Sequence, residues 1–190
     1  RDRIVVGVSG GVDSAVAALL LKREGHDVHA LFMSNWDEDD AYCTTAADFQ
    51  DARRSCERLG IPLHRVSFAA EYRRRVFAHF LAEQRAGRTP NPDVACNREI
   101  KFGVCLEHAR RLGAGGFATG HYARRGDAAD GPWLLKARDL AKDQSYFLHS
   151  IERPALAATR FPLGELTKPE VRALARGAGL AVHDKPDSTG

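Results

Sequence analysis

The chain is predicted to fold as an α/β protein: a doubly wound parallel sheet with a short appended α+β segment. Three observations predict it. Short β-branched runs alternate with stretches of helical period over the first two thirds of the sequence. The first run is apolar without alternation, as strands covered on both faces are. A glycine-rich turn, GVSGGVDS (residues 7–14), follows that run directly and opens the first helical stretch. Open α/β sheets take up ligands at this kind of junction.

The elements follow in order. Residues 4–8 form the first strand pattern. Residues 14–24 carry apolar side chains at helical spacing and stop at Gly25, a typical residue just past a helix end. Residues 28–33 read as a second strand, followed by an acidic loop at 37–40. Residues 46–59 predict a helix closed by Gly60, 63–68 a third strand, and 71–84 another helix. A polar, proline-bearing loop over 86–92 leads into a helix predicted over 97–112. Glycine-rich turns then precede a short strand at 117–119. GDAADG (126–131) marks a turn and 133–137 a strand, together suggesting a hairpin. TKPE (167–170) has the form of a capping box with Pro169 in the first turn of a helix. HDKPDSTG (183–190) reads as a loop.

Composition narrows the class. At 190 residues, 44% hydrophobic and 28% charged, the chain can bury a real core. Its longest unbroken apolar run covers residues 15–21, far short of the roughly 20 residues that span a bilayer. The strand pattern begins at once, so no signal or transit peptide is expected. A protein of the cytoplasm is predicted, with no membrane partner. The net charge of +3 permits an anionic partner without requiring one. Basic pairs and triplets at 53–54, 73–75, 110–111 and 124–125 read singly as solvated helix faces, and together leave room for an RNA backbone. The four cysteines, Cys43, Cys56, Cys96 and Cys105, form no C-x-x-C pair. A zinc site or disulfide framework is therefore not indicated, and free thiols are expected.

The glycine turn carries the first chemistry. Gly10 and Gly11 let the backbone bend so that its N–H groups face an anion at a helix N-terminus. Ser9 and Ser14 add hydroxyls. A tight turn with Asp13 or Ser14 as helix cap is the plainer reading of a Gly-Gly pair taken alone. The turn lacks the G-K-[ST] of a P-loop and the G-x-G-x-x-G of a dinucleotide site. S-G-G-x-D-S after a first strand resembles the pyrophosphate loop of the ATP pyrophosphatase superfamily. The resemblance implies a Rossmann-like PP-loop fold of the adenine nucleotide alpha hydrolase type, and ATP cleaved to AMP and pyrophosphate. It implies nucleotide contacts from Gly7, Val8, Ser9, Gly10, Gly11, Val12, Asp13 and Ser14. A carboxylate in a phosphate site is repulsive unless a cation intervenes, so Asp13 is expected to act through Mg²⁺. The superfamily further suggests Met33 as a lining residue for adenine, and Gly120 of ATGHY (118–122) close to the nucleotide. Core filling and a simple turn are the respective alternatives.

NPDVACNREIKF (91–102) carries the second. Cys96 is expected in the first turn of a helix, where the helix N-terminus, Arg98 and Lys101 would favour a thiolate. Locally, a buried structural thiol is as good a reading. Five motifs in order, SGGVDS, GRTPNPDVACNREIKF, ATGHY, KDQSYFL and KPDSTG, are similar to those of the tRNA-specific 2-thiouridylase family over essentially the whole chain. The resemblance implies that ATP adenylates the C2 carbonyl oxygen of a wobble uridine in tRNA. Sulfur from a persulfide-donating carrier protein then replaces that oxygen. It makes Cys96 a nucleophile with Asp93 as its acid/base partner. It makes Asn91, Pro92 and Asp93 contacts to the flipped-out base, and Lys142, Asp143 and Gln144 contacts to tRNA. A capped helix start at Asp143 is the alternative for the last three.

On this reading, residues 1–150 form the nucleotide-binding domain and 151–190 the start of a linking segment. In the family, DSTG is followed by the persulfide-carrying cysteine and by β-rich tRNA-holding domains. The chain is therefore expected to be part of a longer protein, bacterial rather than organellar. Two other readings compete. One is a pyrophosphatase-superfamily ligase forming an amide or amidine on a small molecule, which leaves Cys96 unexplained. The other is a non-catalytic ATP- and tRNA-binding module.

Overall fold

The computed structural model describes residues 1–34 and 45–187. The acidic loop at 37–40, Cys43 and the last three residues of KPDSTG lie outside the described residues.

Five parallel strands form the main sheet: β1 (Arg3–Val8), β2 (Asp27–Ser34), β3 (Leu63–Ser67), β4 (Gly116–Ala118) and β7 (Thr159–Arg160). Their order across the sheet is β3-β2-β1-β4-β7. Successive side chains of the central strands go to opposite faces, each closed by its own core. Ile4, Val6, Val28, Ala30 and Phe32 pack on one face with α1 (Val12–Arg23), α2 (Thr45–Leu59) and the late helix Lys168–Gly177. Val5 and Leu31 pack on the other with Val76, Ile100, Phe102, Leu106 and Phe117. Both faces being covered explains why β1 has no polar alternation. The doubly wound prediction is borne out.

The remaining helices complete the two layers. α3 runs Ala69–Tyr72, passes through a π-helical stretch, Arg73–Phe77, and ends as Ala78–Arg85. α4 runs Pro92–Cys96, widens over Asn97–Val104, and ends as Cys105–Arg111. In the wide part, the Cys105 N–H donates to the Ile100 carbonyl, five residues back. Gly25 and Gly60 close α1 and α2 with φ of +88° and +60°, as expected.

Three expectations need correction. α4 begins at Pro92, five residues before the predicted start, because Asn91 caps it. The Asn91 Oδ1 accepts from the Asp93 and Val94 N–H groups at 3.0 and 3.4 Å. GDAADG is mostly strand: β5 (Ala123–Ala128) and β6 (Gly131–Lys136) pair antiparallel around a tighter turn. The short helices α5 (Ser145–Leu148) and α6 (Arg153–Ala157) and the strand β7 were not anticipated.

The segment from 151 onward adds β7 to the edge of the sheet and α7 (Lys168–Gly177) to the face of α1. Thr167 starts α7 with the expected capping box to Glu170, and Pro169 lies in its first turn. A 3-10 turn, Ala181–Asp184, follows.

Candidate functional site

The strand order reverses between β1 and β4, so their carboxyl ends diverge into a crevice. A cavity of about 360 Å³ opens there. Gly7, Val8, Ser9, Asp13 and Ser14 line it from the glycine turn, Met33 and Ser34 from β2, and Thr119, Gly120 and His121 from the segment after β4. Gly10, Gly11 and Val12 do not. Gly10 and Gly11 border a small crevice toward α2, and Val12 is buried in the core.

Glycine is required at two places around this site, for two different reasons. Gly10 has φ +82°, and a Cβ there would lie 2.3 Å from the Asp48 carbonyl oxygen. Gly120 has no such φ. Its need is space, because a Cβ would lie 2.6 Å from the Ser14 nitrogen. The close approach anticipated for Gly120 is thus made to the start of α1, while the residue also borders the cavity.

Asp13 is not a bare carboxylate. The Lys168 ammonium donates to both of its oxygens at 2.7 and 2.8 Å, and the Tyr122 hydroxyl donates to Oδ1 at 2.8 Å. Burial and then the Asp13 charge raise the Tyr122 pKa, keeping it a donor. Lys168 also reaches Asp187 at 2.8 Å, and Lys142 and Arg172 bind the same carboxylate at 2.5 and 2.9 Å. Hydrogen bonds from Lys142 and Lys168 bring the Asp187 pKa down to about 2. Lys185 fastens the other side of the turn, donating to the Gly10 carbonyl at 3.1 Å and to Asp48 and Asp51 at 2.8 and 2.7 Å. Burial opposes its charge, and the two carboxylates outweigh burial. The three lysines thus tie KDQ, TKPE and KPD to the glycine turn. No short motif announced Lys168 or Lys185 as site residues.

α4 forms the far wall of the cavity through Lys101 and Cys105. The Cys105 Sγ lies 3.4 Å from the Met33 Sδ. Burial, and then the nearby Cys96, push the Cys105 thiol up to about 12, so it packs rather than reacts. Cys56 is likewise pushed up to about 12 by burial and Glu57. Cys96 is partly exposed and sits one full turn into α4, so the helix terminus acts on it less than expected. Asp93 and Cys96 both lie close enough to Tyr72 to raise its pKa, after burial. They share a face of α4, whereas Asn91 and Pro92 border a separate cavity. His121 is half-buried beside Phe102, its Nδ1 2.8 Å from the Thr119 hydroxyl. Burial and then Lys101 hold its pKa well below 6.5, so it is neutral.

KDQ is spent largely on structure. Lys142 holds Asp187. Asp143 accepts from the Ala137 N–H and the Ser145 hydroxyl at 2.7 and 2.6 Å. Gln144 brackets Tyr122, its Oε1 accepting from the Tyr122 N–H at 2.9 Å and its own N–H donating to the Tyr122 carbonyl at 2.8 Å. Among the described residues, no cluster of three or more His, Cys, Asp or Glu could hold a metal ion, and no helix is long and apolar enough to cross a membrane.

A glycine turn and a helix N-terminus at the switch point of a doubly wound sheet define a Rossmann-like domain built to take a ligand at its strand ends. The chain belongs to the family described as the tRNA methyl transferase HUP domain, whose model matches residues 2–190. The tRNA-specific 2-thiouridylase MnmA of Pseudomonas paraeruginosa (strain DSM 24068 / PA7) is 58% identical over 192 residues, covering 100% of this chain and 51% of that protein. The chain therefore spans about half the length of the curated relatives it matches. Two solved structures share the fold. The U34-tRNA thiolase NcsA of Methanococcus maripaludis, described with its [4Fe-4S] cluster, aligns with TM-score 0.62 at 20% identity over 100% of this chain and 60% of that one. A 4-thiouridine synthetase in an RNA complex with bound ATP aligns with TM-score 0.61 at 18% identity over 97% and 43%.

Proposed function

We propose that this chain is the nucleotide-binding and catalytic portion of a tRNA 2-thiouridylase working in the cytoplasm. One observation carries the reading. A single helix, α4, bears Cys96 and Asp93 in its first turns and walls the glycine-turn cavity with Lys101 and Cys105 further along. On this reading, an activated carbonyl leaving that cavity would meet the Cys96 thiol along the same helix. The 58%-identical relative, named as a 2-thiouridylase, supports the same activity. The ATP and RNA of the structural neighbour support the substrates.

The cavity suits ATP: Gly7 and Gly120 let the strand ends and the start of α1 close up around it, and the turn offers backbone N–H groups and serine hydroxyls to phosphate. Mg²⁺ would arrive with the phosphates, neutralising their charge, and would compete with Lys168 for Asp13. The uridine C2 oxygen attacks the α-phosphorus, the bond to the β-phosphate bridge breaks, and pyrophosphate leaves. The terminal sulfur of a persulfide, loaded by a carrier protein onto a cysteine of the longer chain, then adds to C2. Loss of AMP takes the oxygen away. Cys96, with Asp93 as proton acceptor, attacks the persulfide S–S bond and frees the sulfur into the base. Asn91, Pro92 and Asp93 would present the unstacked base, and Lys142, Asp143 and Gln144 would border the tRNA.

The test is pyrophosphate release by the full-length protein with Mg-ATP and unmodified tRNA, for wild type and Cys96→Ala. Release that depends on a wobble uridine, kept in Cys96→Ala while thiolated product disappears, is the expected result. Release triggered by a small carboxylate or amide and not by tRNA would overturn it.

A further inference from the structure

The glycine-turn cavity carries one charge that no neighbouring side chain offsets. Among the described residues, three charged side chains line it: Asp13, Asp48 and Lys101. Lys168 neutralises Asp13, and Lys185 neutralises Asp48. Lys101 is half-buried and forms no ion pair among the described residues. His121 is neutral and the Cys105 thiol stays protonated, so neither answers the ammonium. The α4 wall thus holds a positive charge that is free to pair with an anion brought into the cavity.

The helix fixes where that charge sits. Lys101 falls in the wide stretch Asn97–Val104, five residues after Cys96 and four before Cys105. In a helix bonded five residues back, positions five apart come into line along the axis, whereas in an α-helix they diverge by about 140°. The widening therefore brings Lys101 round to the Cys96 side of α4. The Lys101 charge acts on Cys105, which touches Met33 at 3.4 Å, and on His121, which follows Gly120 beside the start of α1. The ammonium is placed between the Met33 end of the cavity and the glycine-turn end.

We propose that Lys101 is a further catalytic residue, the ligand of the nucleotide's α-phosphate and of the AMP group it becomes. The inference rests on the adenylation reading above. With adenine at Met33 and the outer phosphates at the glycine turn, the α-phosphate falls between them, on Lys101. As the uridine oxygen bonds to the α-phosphorus, the bond to the bridging oxygen breaks and pyrophosphate takes its electron pair. When sulfur displaces AMP, the C2–O bond breaks and AMP keeps the oxygen with its pair. The ammonium stays protonated in both steps and opposes the negative charge that each one gathers on the α-phosphoryl group. Arg98, whose side chain borders the other cavity, cannot serve in its place.

The experiment uses the full-length protein and calorimetric titration with AMP, adenosine and pyrophosphate. Wild type should bind AMP more tightly than adenosine. Lys101→Met, which keeps the length of the side chain, should weaken AMP about tenfold and leave adenosine and pyrophosphate unchanged, and Lys101→Arg should restore most of the loss. In turnover, Lys101→Met should lower kcat for tRNA-dependent pyrophosphate release about 100-fold and change KM for ATP much less. Unchanged AMP affinity in Lys101→Met overturns the proposal. So does an equal loss for adenosine, which would mean a damaged wall, or a loss for pyrophosphate alone, which would put the lysine on the outer phosphates. Alkylation of Cys96 followed by mass spectrometry tests the remaining role: a rate profile moved to higher pH in Lys101→Met, with AMP binding intact, overturns the proposal in favour of thiolate stabilisation. Wild type that releases no pyrophosphate with any tRNA takes down the thiouridylase reading itself, whereas normal release with unchanged AMP binding in Lys101→Met removes only this inference.

Discussion

Gly120 shows how one missing methyl group can set a site. Its backbone passes so close to Ser14 that a Cβ would sit 2.6 Å from the Ser14 nitrogen. Gly120→Ala must therefore push the ATGHY segment off the start of α1. We expect a stability loss of about 1–3 kcal/mol, as for other overpacked sites, and a KM for ATP raised roughly tenfold or more. Urea unfolding and pyrophosphate release as a function of ATP would check the two parts. Asp187 makes a pH-dependent contribution. Its folded pKa of about 2 lies below its ordinary 3.8, so its stabilisation is complete above about pH 4 and is lost as pH falls toward 2. Asp187→Asn should thus be less stable than wild type near neutrality, with the gap closing between pH 4 and 2 in urea titrations. A gap that stays constant with pH would mean that the ion pairs contribute nothing. At this scale the sequence exposed the glycines and Asp13. It could not expose Lys168, which lies 155 residues from Asp13 and becomes its partner only when α7 docks on α1.

At the scale of elements, α4 decides the arrangement of the chemistry. The sequence does contain its true start: asparagine followed by proline is a favourable Ncap–N1 pair. The pair lies at the end of a polar, proline-bearing stretch, which masks the cap and makes Cys96 look nearer the helix terminus than it is. Asn91→Ala should cost about 1 kcal/mol and loosen the turn that carries Asp93 and Cys96, whereas Asn91→Asp should keep the cap. Hydrogen exchange at the Asp93 and Val94 amides is the direct readout, and protection unchanged in Asn91→Ala would count against the cap. The strands β1 to β3 and helices α1 to α3 were legible because each repeats its period for several residues. α5, α6 and β7 were not, because two to five residues are too few to show a period.

Over the whole molecule, the question is how far residues 151–190 stand apart from 1–150. Leu163, Val171, Ala175 and Leu180 are fully buried in the same core as Ile4 and Val16. Leu163→Ala should therefore cost about 2–5 kcal/mol, and hydrogen exchange should show amides of β1 and α7 losing protection together. Independent exchange of α7 would mark the later segment as a unit of its own.

Local chemistry reaches only as far as neighbouring residues, and that bounds what this sequence determined by itself: the alternating elements, the glycine turn behind β1, the capping box at Thr167, and the motifs by which the family is recognisable. Tertiary structure alone decided the rest. Docking α7 and the KPD segment on the glycine turn gave Asp13 and Asp48 their lysines, because ion pairs between distant residues depend on which surfaces the core brings together. The winding of one helix then put Lys101 and Cys105 into the wall of the glycine-turn cavity, a placement that appears only once the neighbours of each face are in place.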